Sequence, residues 1–444
     1  MIPSDLFRSN ISYLEAKIPK PYREICFWVL IALLIRLLFL PFACHADLLS
    51  TYYRSNLLMT GEISIFFGLN ELSVYFQALT LFIFQAWIPR IIWSPDWGSP
   101  IGFGTASVVD WMEFVSFETV FQYITIFKMP YLIFDLLCVV LLYYIFHENE
   151  ESRVIALSAW VACPVLIYAA YIFSRYETIA FFFILLSLFC VKIRKNRFAV
   201  FALGTAVLIR MYPLMLLPFY VVILEEDLHE RIKLATIGVI PLIISYISKR
   251  ITIQPIFVSS TVFDPVNSFS RHLLELRIGD ISLFLISYLL ILGISVYYIR
   301  HNRKETGEFE ALVSFGLLLL ISMYLFAPYM AIKTSWFSWI LPFLIVWVAL
   351  DRTEDGRKAY LLLIASWIIL MLIRIDPSQF GGGLFAPANF ALIDLPNFGN
   401  VISSITGYPA SILKTLVVTL FSAALIWTMS IVTLRLFKKW SGPE

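Results

Sequence analysis

Charge is what this sequence has least of. Only 14% of its 444 residues are Asp, Glu, Lys or Arg, where a soluble domain carries about 25%. That shortage excludes a soluble globular enzyme and a disordered chain. Neither sign is in surplus: 33 basic residues face 31 acidic ones, a net charge of +2. No bulk field recruits a polyanion, and no nucleic-acid partner is expected. Cysteine is also sparse. Cys26, Cys44, Cys138, Cys163 and Cys190 are odd in number and form no CxxC or Cys/His cluster. Neither a disulfide framework nor a zinc site is suggested, and no metal ligand is assigned. The first 25 residues are polar, which argues against a cleavable signal peptide and for a retained first span.

What is present is apolar. Hydrophobic residues make up 60% of the chain and aromatics 16%, gathered in membrane-length runs. The sequence predicts an all-α polytopic membrane protein. A bilayer core needs about 17 to 25 mostly apolar residues per helix. Spans are expected at 25–43, 129–147, 154–174, 177–191, 198–210, 212–224, 233–248, 281–299, 309–327, 336–350, 359–374 and 411–434. The fifth and sixth are short and abut at Arg210-Met211-Tyr212-Pro213. Proline breaks a helix there, giving either a tight hairpin or one kinked span. The count is therefore twelve, with eleven as the fallback.

The basic residues orient the bundle. With the N-terminus in the cytoplasm, 20 of the 33 Lys and Arg fall in short inner segments, the positive-inside pattern. This gives a cytoplasmic segment 1–24, one transmembrane unit 25–434 and a cytoplasmic tail 435–444. The long outer segments are 44–128, 249–280 and 375–410. The first contains an aromatic-rich stretch, 72–92. A further span there would invert every later loop, so it is expected to lie on the outer leaflet as an interfacial helix, with Trp87, Trp93 and Trp97 at headgroup depth.

Ionisable groups at membrane depth mark function, because their desolvation needs a partner or a water-filled cavity. They collect on the outer side. Asp47 follows the first span directly, beside His45, with Arg54 further on. Asp110 and Glu113 are spaced to share a helix face. Lys128 opens the next span, and Asp135 lies about 10 Å deeper at 1.5 Å per residue. Arg175 and Glu177 fill a short outer turn. Arg210 sits at the proline break, Arg271 and His272 in the second large outer loop, and Lys333 before the tenth span. The plainer readings are a helix N-cap for Asp47 and snorkelling anchors for each base singly. Together, Lys128, Arg175, Arg210, Arg271 and Lys333 are basic residues where positive charge is normally sparse. They suggest an anionic partner such as a lipid phosphate.

Three stretches resemble one family. Lys128-Met129-Pro130 through Asp135-Leu136 is similar to the Lys-x-Pro…Asp-Leu span opening of GT-C glycosyltransferases. The nearest are glycosyltransferase family 87, with its polyprenyl-phosphate-mannose-dependent enzymes, and the GPI mannosyltransferase group. Arg175-Tyr176-Glu177, Gly204-Thr205-Ala206 and Arg210-Met211-Tyr212-Pro213-Leu214 to Pro218 resemble that family's next block. Ser335-Trp336-Phe337-Ser338-Trp339-Ile340-Leu341-Pro342 resembles its aromatic span entry. Glu177 stands where Asp is commoner, and Arg210 where Lys is commoner.

The resemblance implies a helical membrane protein whose long first outer loop carries interfacial helices. It implies a hexosyltransferase, plausibly for mannose, using a polyprenyl-phosphate-linked sugar donor and a glycan or glycolipid acceptor at the extracytoplasmic face. It makes Asp47 the catalytic base. Arg210, Arg175, Lys128 and Lys333 are the candidates for the donor phosphate. His45, Arg54, Asp110, Glu113, Asp135, Glu177, Arg271 and His272 are candidates for acceptor contacts or for support of the site. A lipid phosphate is already a good leaving group, so no cofactor is expected; a divalent metal is left open. Desolvation at the interface is expected to raise the proton affinity of a lone Asp47. The rivals are a secondary transporter or lipid-linked sugar flippase, which predicts charges near the midplane and related halves, and a non-catalytic scaffold.

Overall fold

A computed structural model describes residues 19–60, 72–87, 114–116, 118–251, 269, 271–302, 307–327, 334–373, 382–396 and 398–440. Apolar runs become helices because a backbone away from water must satisfy its own hydrogen bonds. The elements are α1 Lys20–Leu37, α2 Ala46–Thr60, α3 Leu72–Phe84, α4 Val120–Ile145, α5 Glu150–Val161, α6 Glu177–Lys192, α7 Asn196–Val207, α8 Leu217–Leu224, α9 Leu228–Ile251, α10 Leu283–Asn302, α11 Glu308–Phe326, α12 Leu341–Asp351, α13 Glu354–Ile373, α14 Phe398–Thr406 and α15 Ala410–Trp440. The described strands form one small hairpin, Arg277–Ile278 against Ile281–Ser282.

The protein is all-α and built for a membrane. Among the described residues six helical stretches are long and apolar enough to cross one: 120–145, 150–172, 283–301, 308–326, 354–373 and 410–438. The remaining expected spans coincide with helices that are shorter or more polar. α6 has 16 residues and rises about 24 Å, and α7 has 12 and rises about 18 Å, both short of a ~30 Å hydrocarbon core.

Two ends of the bundle differ in chemistry. At one end, ion pairs join α1 to α5 (Glu24–Arg153, 2.8 Å), α5 to α13 (Glu151–Arg357, 2.7 Å) and α12 to α15 (Asp351–Arg435, 3.2 Å). All lie in segments expected to be inner. Asn196, opening α7, donates to Glu225, just past α8, at 3.3 Å. The chain therefore turns back at Arg210, and the tight-hairpin alternative describes it. Pro213 opens a 3-10 turn, Tyr212–Leu216, that leads into α8. The hairpin packs closely on α9, where a Cβ on Gly204 would fall 2.0 Å from the Gly238 carbonyl oxygen.

α5 is extended past a Cys163-Pro164 break by Pro164–Ile167 and then by a π-helical turn, Tyr168–Ile172. α3 packs on α2 and α4 and leaves Leu79, Phe82 and Ile83 exposed. The rest of the 72–92 stretch beyond Trp87 lies outside the described residues.

Candidate active site

The helix ends opposite those ion pairs bring five of the expected residues into one chain of charge. α1 ends in turns that deliver His45 and Asp47 to the start of α2. Asp47 lies in the first turn of that helix; the N-cap reading is not what the backbone shows. The π turn after α5 delivers Phe173, Ser174 and Arg175, and α6 begins at Glu177. Arg210 arrives from the end of α7.

Arg175 Nη1 lies 3.0 Å from Asp47 Oδ2, and its Nε lies 3.8 Å from Glu177 Oε1. Arg210 grips Glu177 at two points: Nε donates to Oε2 at 2.9 Å and Nη2 to Oε1 at 2.6 Å. Trp339 Nε1 donates to the same Oε2 at 3.0 Å. The Arg210 guanidinium also lies over the Tyr176 ring, 4.2 Å from its centroid. His45 stacks on Phe173 at 4.1 Å, and its Nδ1 accepts the Asp47 backbone N–H at 3.1 Å.

Among the described residues this chain of charge is open at one end. Glu177 is fully buried and Arg210 is 7% exposed, whereas Asp47, His45 and Arg175 keep 21%, 18% and 17% of their side chains accessible. Asp47 is not a lone carboxylate, and its proton affinity moves opposite to the expectation. Burial alone would raise it. The Arg175 guanidinium, with His45 and Arg210 behind it, outweighs burial and holds the carboxyl well below the usual carboxylate range.

Other expected residues fall elsewhere. Lys128 is fully buried and donates to three backbone carbonyls: Leu40 at 3.0 Å, Tyr171 at 2.6 Å, and Ala43. An ammonium has three protons, so none remains for a phosphate. Asp135 is also fully buried. It accepts from Arg36 Nε at 2.9 Å, Trp160 Nε1 at 2.7 Å and the Tyr171 hydroxyl at 2.7 Å. It meets neither solvent nor the Asp47 pair, so contact with an acceptor is ruled out and a supporting place is left. Arg54 and Arg210 both act electrostatically on the Tyr131 phenol. Arg271 is exposed, and His272 lies 4.0 Å from Glu275. Phe269, just before them, sits 6.3 Å from the Trp339 ring. Lys333, Asp110 and Glu113 lie outside the described residues.

Sequence reasoning missed Arg36, which sits inside the first apolar run. It also missed Tyr171 and the bond from Trp339. The only signal for Arg36 was one basic residue in a span with no acid of its own. Among the described residues no group of three or more His, Cys, Asp or Glu is placed to hold a metal ion. Comparison of the chain with protein-family models, with curated proteins and with solved structures gives no match.

Proposed function

We propose that this protein is a membrane glycosyltransferase of GT-C architecture. It has about twelve spans, with both termini cytoplasmic and the site at the extracytoplasmic face. It transfers a hexose, on the family resemblance mannose, from a polyprenyl-phosphate donor to a glycan or glycolipid acceptor. One observation carries this reading. The first acid after the first helix is the accessible end of a buried charge chain, and the group facing it is an arginine. Base and phosphate ligand are thus side by side, at the bundle end away from the basic loops.

The chemistry needs little else. The acceptor hydroxyl oxygen attacks the anomeric carbon, and its proton passes to the Asp47 carboxylate. The bond from that carbon to the phosphate oxygen breaks, and its electron pair leaves with the polyprenyl phosphate. The leaving group gains a negative charge, which a fixed cation stabilises. Arg175 suits this role better than Arg210 or Lys128. Arg210 already spends two donors on Glu177, and Lys128 spends all three on carbonyls. Resting Arg175 holds the Asp47 proton affinity down. An arriving phosphodiester competes for that guanidinium, and Asp47 then becomes a stronger base at the moment one is required.

A transporter reading would claim the Arg36–Asp135 pair as charge within the spans. Its partners Trp160, Tyr171 and the Trp160 and Val161 carbonyls close it off, and it offers no opening to cargo.

The test is donor turnover by purified protein in liposomes that carry a glycolipid-containing membrane extract as the acceptor source, with isotope-labelled mannosyl and glucosyl polyprenyl phosphates. Consumption of one donor is expected in the parent, with loss in Asp47→Asn. Equal turnover by parent and Asp47→Asn would remove the base; a parent that consumes neither donor would remove the reaction.

A further inference from the structure

Lys128 and Asp135 are the two charged residues of the Lys-x-Pro…Asp stretch, and neither touches the Asp47–Arg175 pair. They lie seven residues apart on α4, two helical turns on one face. Both grip Tyr171. Lys128 takes its backbone carbonyl at 2.6 Å, and Asp135 accepts its hydroxyl at 2.7 Å. Each also holds the first helix and its end: Lys128 through the carbonyls of Leu40 and Ala43, Asp135 through the Arg36 guanidinium.

The spacing gives these grips their meaning. Ala43 is four residues before Asp47, and Tyr171 is four residues before Arg175. One ammonium thus joins the two segments that deliver the ion pair, each held four positions before the charged residue it delivers. Ser174 adds a second tie, since its hydroxyl reaches the Ala43 carbonyl at 3.4 Å. Its backbone is left-handed, with φ at 67°. A residue with a Cβ resists that conformation unless its surroundings impose it. The π turn is imposed in the same way: π-helical turns are rare and cluster at functional sites, and this one is pinned at Tyr171 by both its main chain and its side chain.

We propose that Lys128 and Asp135 are positioning residues. Together they clamp the end of the first helix and the π turn in a single register, so that Asp47 and Arg175 meet at the reaction point. The catalytic consequence rests on the glycosyltransferase reading; the geometric one does not. Buried ions are expensive to keep, and apolar residues could fill α4 at lower cost. What apolar residues could not do is satisfy carbonyls from two separate segments at one point.

The experiment reads the geometry first. In a Cys44→Ala background, cysteines at positions 45 and 173 replace the stacked His45 and Phe173, and their disulfide formation is timed in nanodiscs. Tyr171→Phe and Lys128→Met are each added. Ser187→Ala serves as control, since it removes a buried bond to the Ala199 carbonyl (2.7 Å) away from the clamp. The clamp predicts that Tyr171→Phe and Lys128→Met slow cross-linking about tenfold or more, the scale on which small misplacements act, while Ser187→Ala does not.

In proteins with native His45 and Phe173, the same substitutions should lower kcat and leave the donor KM within about twofold, since uniform donor binding is kept. Unchanged cross-linking in Tyr171→Phe overturns the clamp, even if Lys128→Met fails to fold. Unchanged cross-linking with a raised donor KM in Lys128→Met overturns it and returns Lys128 to the phosphate site. Slowed cross-linking in a protein that turns over no polyprenyl-phosphate sugar upholds the clamp and rejects the proposed reaction.

Discussion

Arg175 and Asp47 are joined at 3.0 Å across two segments 128 positions apart in the chain. The pair sets the pH behaviour of the site. A carboxyl whose folded-state affinity is depressed stays ionised through and below the ordinary carboxylate range and protonates only as pH falls through its lowered value. The stability it contributes is therefore full at neutral pH and is lost only in strong acid. The acidic limb of kcat/KM set by Asp47 in the parent should lie below the usual carboxylate range. In Arg175→Gln that limb should move upward into the measurable range. A limb that stays put in the variant would mean Arg175 does not set the Asp47 charge state.

Asp47→Asn keeps the shape of the side chain and removes the proton acceptor. Transfer should fall by roughly two orders of magnitude or more, the scale of general-base loss. The thermal unfolding midpoint in detergent should fall less than in Glu177→Gln, because Asp47 and Arg175 keep 21% and 17% of their side chains accessible whereas Glu177 is fully buried. A large drop in midpoint together with the activity loss would assign Asp47 to structure.

Glu177 presents the opposite case. It is fully buried under two Arg210 donors and one from Trp339. Glu177→Gln leaves Arg210 buried without its counter-charge, a loss of roughly 3–5 kcal/mol. Replacing both partners, as Glu177→Gln with Arg210→Met, should recover much of that stability. The check is the double-mutant cycle on thermal midpoints; additive losses would show that the two-point bond carries no coupling.

Gly204→Ala tests the fold rather than the chemistry. Its new methyl would meet the Gly238 carbonyl at 2.0 Å, so α7 and α9 must separate. A stability loss of roughly 1–3 kcal/mol, read as a lower midpoint, is expected, as for other overpacked sites. Normal stability would mean the hairpin is looser than its contacts indicate.

Orientation is settled by labelling. Single cysteines at the exposed positions Arg194 and Arg271 should react with an impermeant maleimide from opposite sides of a sealed vesicle. Reaction of both from one side would reverse the placement of the site.

The helices were legible because apolar runs have few other options in lipid. Asp47, Arg175, Glu177 and Arg210 were legible for the converse reason: a charge stands out in a chain this poor in charge. Their pairing was not, because which bases face which acids is decided by how helices α2, α6 and α7 meet. Lys128 shows the limit. Its type and place fit a phosphate ligand as well as a carbonyl ligand, and only the approach of Ala43 and Tyr171 separates the two. The π turn leaves no pattern of its own, since it follows from contacts at Tyr171 rather than from propensity. Arg36 passed for part of an apolar run because its partner Asp135 lies 99 positions away.

The shortness of α6 has a consequence for the bilayer itself. With Lys192 at the inner edge, as the proposed topology has it, the helix reaches Glu177 after a rise of about 23 Å, several ångströms below the far edge of a ~30 Å core. On that topology the Asp47–Arg175 end of the bundle lies in a dimple of the leaflet rather than above it. Under the proposed reaction a prenyl tail would stay among its neighbours while its head tips into that hollow, and no lipid would have to be lifted out. Membrane thickness would then be a variable of turnover. Longer acyl chains deepen the hollow and shorter ones flatten it, so reconstitution across a series of chain lengths should give a turnover optimum rather than a plateau.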